Sequence, residues 1–146
     1  MPDYFRSSSA VATSLANAFI PDGTADIRFY PLTAVPSPTE NYSTVVVNPT
    51  TGIDLVEIPI ASFAKFATPV QIAGFNCIVY RNEVELNFGI NTSGSPITVA
   101  CFAVVARPSD EVIAITPCES TTIDLNFTFK INATDFIVGF DATGSP

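Results

Sequence analysis

The amino-acid sequence predicts an all-β protein, an antiparallel β-sandwich of about eight or nine strands with an extended N-terminal arm. Apolar and polar residues alternate without interruption through residues 121–132. Successive side chains of a strand point to opposite faces, so this pattern predicts one long strand with one apolar face. Similar stretches recur at intervals of roughly ten to fifteen residues, separated by turn-forming residues. This spacing is typical of β-sandwiches and barrels, and a jelly roll is the favoured topology.

The N-terminal half is predicted to be the more irregular part of the chain. Residues 1–9 contain two aromatic residues without periodic neighbours and form the predicted arm, whereas residues 10–146 form a single sandwich domain. Residues 10–20 are the only stretch with helical spacing, with a strand as a close alternative. Residues 25–30 predict a short strand, and three prolines predict an extended surface loop over residues 31–41.

The remaining strands are predicted from alternation and from the turn residues that flank them. The first two flank the segment NPTTG, which predicts a hairpin. Residues 61–69 predict a helical turn or an irregular crossover, and Gly74 indicates a bulge or bend. Residues 83–142 predict a meander. The predicted strands cover residues 42–47, 53–58, 70–81, 83–90, 97–106, 111–116, 121–132 and 136–142.

The segment 97–106 differs from the other predicted strands because it is apolar on both faces. This pattern predicts either a central strand or a strand that places its second face against another subunit. We therefore count it, with the arm and the loop 31–41, among the candidate contact surfaces.

The composition argues against several classes of partner. Only 14% of the residues are charged, against roughly 25% in an average soluble domain, and the net charge is −8. The six basic residues form no stripe that could displace counterions, so no nucleic-acid partner is predicted. An anionic membrane is disfavoured for the same reason. No apolar run has the length of a membrane span, and residues 10–20 are too polar for a good signal peptide.

The reactive residues predict no metal, no cofactor and no catalytic site. The sequence has no histidine and no CxxC motif, which argues against zinc and against Ser-His-Asp or Cys-His catalysis. Three cysteines do not form a disulfide framework. Cys77 and Cys101 lie in apolar strand patterns and are predicted to be buried, whereas Cys118 is predicted to lie near the surface.

Two carboxylate pairs have a functional and a plainer interpretation. Glu83 and Glu85 lie on one face of one strand at a spacing near that of glycosidase carboxylates, but exposed glutamates on a polar sheet face are favoured. Asp22 and Asp26 could bind calcium, but a turn stabilised by its own side chains is favoured. The sequons at Asn41, Asn91, Asn126 and Asn132 are interpreted as chance occurrences in a Thr- and Asn-rich chain.

The aromatic residues bear on carbohydrate binding. Sandwiches that bind sugars commonly use exposed tryptophan, and this chain has none. Its twelve phenylalanines are predicted to lie mostly in the core. The four tyrosines could take the place of tryptophan but are scattered along the sequence, at Tyr4, Tyr30, Tyr42 and Tyr80.

The remaining features suit a repeated structural protein. A weakly charged surface suits a protein that is packed against partner proteins at high local concentration. Long strand edges need protection, and because lysine occurs only twice, we expect copies of the chain to cover those edges. The sequence therefore predicts a homo-oligomer, with a trimer favoured. The candidate interaction residues are Tyr4, Phe5, Arg6, Val35 and Tyr42.

In size, composition, poor signal segment and aromatic arm, the chain resembles virion structural proteins, in particular the small head-decoration (cement) proteins of tailed bacteriophages. The resemblance extends to no specific motif. It implies a non-enzymatic β-rich trimer that clamps the major capsid protein, is assembled in the host cytoplasm and resides in the virion, with the arm contacting the capsid or a neighbour. The alternatives are a phage tail, fibre or minor capsid component and, from another class, a secreted carbohydrate- or surface-binding module.

Overall fold

The computed structural model describes residues 9–37, 52–66, 70–72 and 74–141 and confirms the all-β prediction. One α-helix and one 3-10 helix accompany ten strands in these residues. The elements are α1 Ser9–Ala18, β1 Asp26–Leu32, β2 Val56–Pro59, the 3-10 helix Ile60–Ser62, β3 Phe63–Lys65, β4 Val70–Ile72, β5 Phe75–Asn82, β6 Leu86–Ile90, β7 Ile97–Arg107, β8 Glu111–Ile123, β9 Thr128–Ile131 and β10 Ile137–Asp141. The predicted strand 42–47 and most of the arm lie outside the described residues.

All strand pairs among the described residues are antiparallel, and they fall into three sheets. The first has the order β2-β1-β7-β8, the second has the order β10-β5-β3 with β4 also paired to β5, and the third consists of β6 and β9. Three of the pairs are nested in sequence, namely β5 with β10, β6 with β9 and β7 with β8. The predicted meander over residues 83–142 is therefore wrong, because β6 pairs with β9 and not with β7. The jelly-roll topology stays a prediction.

The three sheets and the helix share one hydrophobic core. Aromatic rings run through it from the third sheet to the helix, and successive ring centroids are 4.9 to 6.2 Å apart. The helix joins the core at its C-terminal end, where the buried Tyr80 hydroxyl donates to the carbonyl oxygen of Ala16 at 2.8 Å. Packing of this kind confirms that most of the phenylalanines whose burial is described are core residues. The chain of rings is Phe88, Phe129, Phe102, Phe136, Phe29, Phe63, Tyr80, Phe19 and Phe140.

Strand β7 is the central strand that its apolar sequence predicts. It pairs with β1 on one side and with β8 on the other. Phe102 and Val104 face the main core, while Cys101, Ala103 and Val105 belong to a second buried cluster with Tyr30 and Leu32. From Cys101 to Ala106, both faces are thus buried within one copy of the chain, whereas Thr98 is exposed. The part of β7 from Cys101 to Ala106 therefore offers no exposed face to another subunit.

The prediction of a single strand over residues 121–132 is wrong. Strand β8 ends at Ile123, the chain turns through residues 124–127, and β9 continues in a different sheet. Asn126 has a φ of +63° at this turn, a conformation that asparagine tolerates better than most residues. The turn takes Leu125 and Phe127 out of the core, although the alternating pattern had placed both inside.

Glycine and proline account for three smaller differences. The predicted strand 70–81 is a hairpin of β4 and β5, because Gly74 turns the chain with a φ of +84°. Gly89, with a φ of +82°, accompanies a register shift in β6 that leaves Ile90 facing solvent rather than the core. Strand β8 continues through Pro117 rather than ending before it, because β8 is an edge strand with a shifted register there.

Candidate functional site

One of the predicted interaction residues lies in the described residues. Val35 follows β1 and has 54% of its surface exposed, as a contact residue requires. Tyr4, Phe5, Arg6 and Tyr42 lie outside the described residues. The role of these five side chains therefore stays a prediction.

A half-open cleft lies between strand β8 and the segment that contains β9 and the start of β10. Its volume is about 390 Å³. The cleft forms because β8 and β9 belong to different sheets and diverge after the turn at residues 124–127. Its lining combines an apolar floor with a polar rim. The lining residues are Phe102, Thr116, Cys118, Glu119, Thr121, Phe129, Ile131, Asp135, Phe136 and Ile137.

The floor of the cleft is one end of the aromatic core. The ring of Phe102 stacks on Phe129 at 6.2 Å and meets Phe136 edge-on at 5.6 Å between centroids. Phe102 and Phe136 are buried, whereas Phe129 is partly exposed. Ring faces and edges of this kind favour a further aromatic or apolar side chain.

Two carboxylates stand on the rim of the cleft. Glu119 lies in a bulge of β8, where the five residues from Pro117 to Thr121 lie opposite the three residues from Val99 to Cys101 of β7. Asp135 lies in the turn before β10. Among the described residues, neither carboxylate has an ion pair or a hydrogen-bond partner. The cleft therefore presents negative charge beside an aromatic floor.

The basic residues of the described part are all engaged elsewhere. Arg28 pairs with Glu57 and Arg107 with Asp110, and Lys65 donates to the amide oxygen of Asn17. Lys130 lies 3.1 Å from Glu85 and Arg81 lies 3.4 Å from Glu83, with the Arg81 guanidinium 3.7 Å above the Phe66 ring. Hydrogen bonds that Arg28 donates to the Tyr30 hydroxyl and to the Glu57 carboxylate raise the pKa of its guanidinium. Glu83 and Glu85 each have their own cation, but both lie in the turn between β5 and β6, so the prediction that they share one face of one strand is wrong.

Asn82 holds the turn that carries Asp135. Its side chain is fully buried, with the amide nitrogen donating to the carbonyl oxygens of Val84 at 2.8 Å and Asn132 at 2.9 Å. Its amide oxygen accepts from the backbone N–H of Phe136 at 2.9 Å. Three hydrogen bonds from one side chain therefore join the end of β5 to the turn between β9 and β10.

Asn91 holds the other end of β9. Its buried amide nitrogen donates to the carbonyl oxygens of Ser95 and Ile123, at 2.8 and 2.9 Å, and its oxygen accepts from the N–H of Ser93. Its backbone bonds to the turn at residues 124–127, where it donates to Phe127 at 3.0 Å. Because this amide is buried and fully bonded, the sequon at Asn91 cannot be modified in the folded chain.

The two buried asparagines differ in how far the sequence could reveal them. The Asn91 side chain accepts a hydrogen bond from the backbone N–H of Ser93, two residues further along the chain. Asparagine often stabilises turns in this way, and the segment NTSG is typical of them. The amide oxygen of Asn82, in contrast, accepts from Phe136, which lies 54 residues away in sequence. Neither asparagine was predicted to have a structural role.

The thiols fall where the sequence predicted. Cys77 and Cys101 are buried, and Cys118 is exposed on the cleft. Burial raises the pKa of Cys101 to about 11, with a smaller contribution from the neighbouring Cys118. Partial burial also raises the pKa of the Cys118 thiol. Among the three cysteines, Cys118 is therefore the one that a reagent in solution can reach in the folded chain.

An exposed apolar patch lies at the end of the third sheet, next to the turn at residues 124–127. It consists of Ile90, Leu125 and Phe127, whose exposed fractions are 50%, 39% and 64%. Two backbone hydrogen bonds of Asn91, at 3.0 and 3.1 Å, join the segments that carry these side chains. We call these three residues the end patch. Exposure of a phenylalanine beside two large aliphatic residues marks a candidate contact surface.

Comparison of the chain with protein-family models, with curated proteins and with solved structures finds no match. Within the residues that the structure describes, no group of three or more Cys, Asp or Glu side chains could hold a metal ion. Across that same part of the chain, the helices are too short or too polar to cross a bilayer. Asp22 lies in the turn before β1, whereas Asp26 is the first residue of β1 and pairs with Arg107 and Pro59.

Proposed function

We propose that this protein is a non-enzymatic structural component of a virion, a decoration protein that binds the capsid shell as a homo-oligomeric β-sandwich. The observation that carries the proposal is the end patch. Three large apolar side chains that face water in one copy are stabilised when a second protein surface removes them from water. The proposal places this protein in the assembled virion, with the major capsid protein or another virion protein as its partner.

The sheet edges support the proposal less than the sequence suggested. The outer edge of β8 carries register shifts at two places, Pro117 and two glutamates. Bulges, proline and charge are the devices by which single chains keep an edge from pairing with a copy. Contacts between copies are therefore assigned to side chains, first of all the end patch, and not to continuation of a sheet.

The carbohydrate-binding alternative finds no exposed tyrosine in the described residues. Tyr30 and Tyr80 are both buried, and the Tyr80 hydroxyl bonds to the backbone of α1. Rings that stack on sugars need an exposed face. The tail, fibre and minor capsid alternatives share the structural class of the proposal and are distinguished by the partner that the protein binds.

The proposal is tested by measuring the mass of the protein in solution before and after the end patch is made polar. Replacing Leu125 and Phe127 together by serine is expected to shift the oligomer toward the monomer in light scattering at a fixed chain concentration. Val84→Ser is the matched control, because Val84 is 40% exposed and lies outside the end patch. Equal masses for the double variant and the unmodified oligomer would contradict the assignment of the end patch.

A further inference from the structure

The cleft beside β8 has the chemistry of a site for a short peptide that carries an aromatic residue next to a cation. Its floor presents Phe102, Phe129 and Phe136, and its rim presents the carboxylates of Glu119 and Asp135. Both carboxylates lack a partner among the described residues. A guanidinium can bond a carboxylate through two parallel N–H donors while its neighbouring ring lies on the aromatic floor.

The chain itself supplies one segment with this chemistry. Of its six basic residues, five lie in the described part, and each of these has an acidic or amide partner there. The sixth is Arg6, which follows directly on Tyr4 and Phe5. The acidic cleft and the aromatic–basic tripeptide are complementary in charge and in apolar character.

We propose that Tyr4, Phe5 and Arg6 of a second copy of the chain occupy the cleft, with the aromatic rings on the floor and Arg6 on the carboxylates. This inference rests on the proposed homo-oligomer and names a second contact between its copies, beside the end patch. The eight residues before α1 extend over at most about 28 Å, and this length limits the distance between the start of α1 in one copy and the cleft that the segment occupies in the other. Exchange of such segments between copies joins protomers without continuing a sheet.

Cys118 provides a direct measurement, because its thiol lines the cleft and the other two cysteines are buried. The rate at which iodoacetamide alkylates Cys118 is measured in the full chain and in a chain without residues 1–8. Removal of the segment is expected to raise the rate about tenfold, as nine-tenths occupancy of the cleft requires. A synthetic peptide of residues 1–9 should restore protection, and the same peptide with Phe5→Ser and Arg6→Ser should not.

A mixing experiment identifies the copy that supplies the segment. One chain lacks residues 1–8, and the other carries Glu119→Lys and Asp135→Lys. Each is expected to have a lower mass alone than the unmodified chain at the same concentration, whereas the mixture should regain mass, because one chain keeps the cleft and the other keeps the segment. Circular dichroism of each variant establishes that it is folded.

The outcomes separate this inference from the proposed function. An oligomeric full chain whose mass and Cys118 rate do not change on deletion of residues 1–8 would overturn the inference and leave the proposed function standing. A monomeric full chain whose Cys118 is protected by its own residues 1–8 would overturn both the second copy and the homo-oligomer. Protection by the peptide, together with complex formation in the mixture, supports the inference.

Discussion

Replacing Asn82 by alanine removes the side chain that joins β5 to the turn before β10. The substitution deletes three hydrogen bonds of 2.8 to 2.9 Å. It leaves the carbonyl oxygens of Val84 and Asn132 and the N–H of Phe136 without their partner. The chain gains no new donor or acceptor in exchange, because alanine has none.

The expected cost is large for a single substitution. Each hydrogen bond contributes about 1 kcal/mol net, and a buried group left unpaired costs about 1–3 kcal/mol. Because solvent reaches part of this region once the side chain is shortened, we expect Asn82→Ala to lower the free energy of unfolding by about 3–5 kcal/mol. A domain of ordinary stability, about 5–15 kcal/mol, would still fold but would unfold at a much lower urea concentration.

The assay is equilibrium unfolding in urea, followed by circular dichroism because the chain has no tryptophan. All variants are compared at one chain concentration, since oligomers unfold in a concentration-dependent way. Asn132→Ala is the matched control, because the Asn132 side chain is exposed and only its backbone bonds to Asn82. It should change the stability by less than about 0.5 kcal/mol. A loss below about 1 kcal/mol for Asn82→Ala would refute the hydrogen-bonding role of this side chain.

Asn82→Asp gives the same role a pH signature. The carboxylate keeps an acceptor for Phe136 but turns a second oxygen toward the carbonyls of Val84 and Asn132, so burial and repulsion raise its pKa in the folded state. A raised acid pKa means that stability is present below the unfolded pKa, about 3.9, and is lost as the pH rises through the folded pKa. The variant should therefore gain stability relative to the unmodified chain on going from pH 7 to pH 4.

Two further substitutions test other parts of the structure. Gly52→Ala should cost at least about 1 kcal/mol more than Gly94→Ala, because both have a positive φ but only a Cβ at Gly52 would lie 2.5 Å from the Cβ of Ser93; equal losses in urea unfolding would contradict the close approach. The pKa of Cys101 is raised to about 11, so the protonated thiol is favoured in the folded chain. The resulting contribution to the free energy of unfolding is fully present below pH 9 and is lost as the pH rises through 11. The unmodified chain should lose at most about 2 kcal/mol more than Cys101→Ala between pH 8 and pH 11, and parallel stability curves would count against the raised pKa.

Local pattern predicted the elements whose burial follows directly from their sequence. Strand β7 is apolar on both faces and is buried on both faces, and α1 ends before Pro21. The two cysteines in apolar runs are buried, and the one beside Pro117 is exposed. In each of these cases the neighbours in sequence determine the environment of the residue.

The failures arise where a partner distant in sequence determines the backbone. Residues 121–132 keep a two-residue period through the turn at 124–127, so the period alone could not locate the turn. The turn depends on Asn91, whose amide bonds to Ile123 and whose backbone bonds to Phe127. The pairing of β6 with β9 likewise spans the whole β7–β8 hairpin.

The cleft could not be predicted from the sequence for a related reason. Glu119 and Asp135 stand on its rim because a bulge in β8 and a turn held by Asn82 place them there. Neither residue belongs to a motif, and they lie on different elements. Cys118 is the one cleft residue whose surface position was predicted, since the residues beside it are turn-forming and polar.

The mass of the unmodified full chain in solution tests the central claim most directly. Size-exclusion chromatography with light scattering at micromolar concentration should give an oligomer, with three chains of 15.5 kDa each as the favoured composition. A mass that remains that of one chain across this concentration range would contradict the proposed homo-oligomeric structural protein.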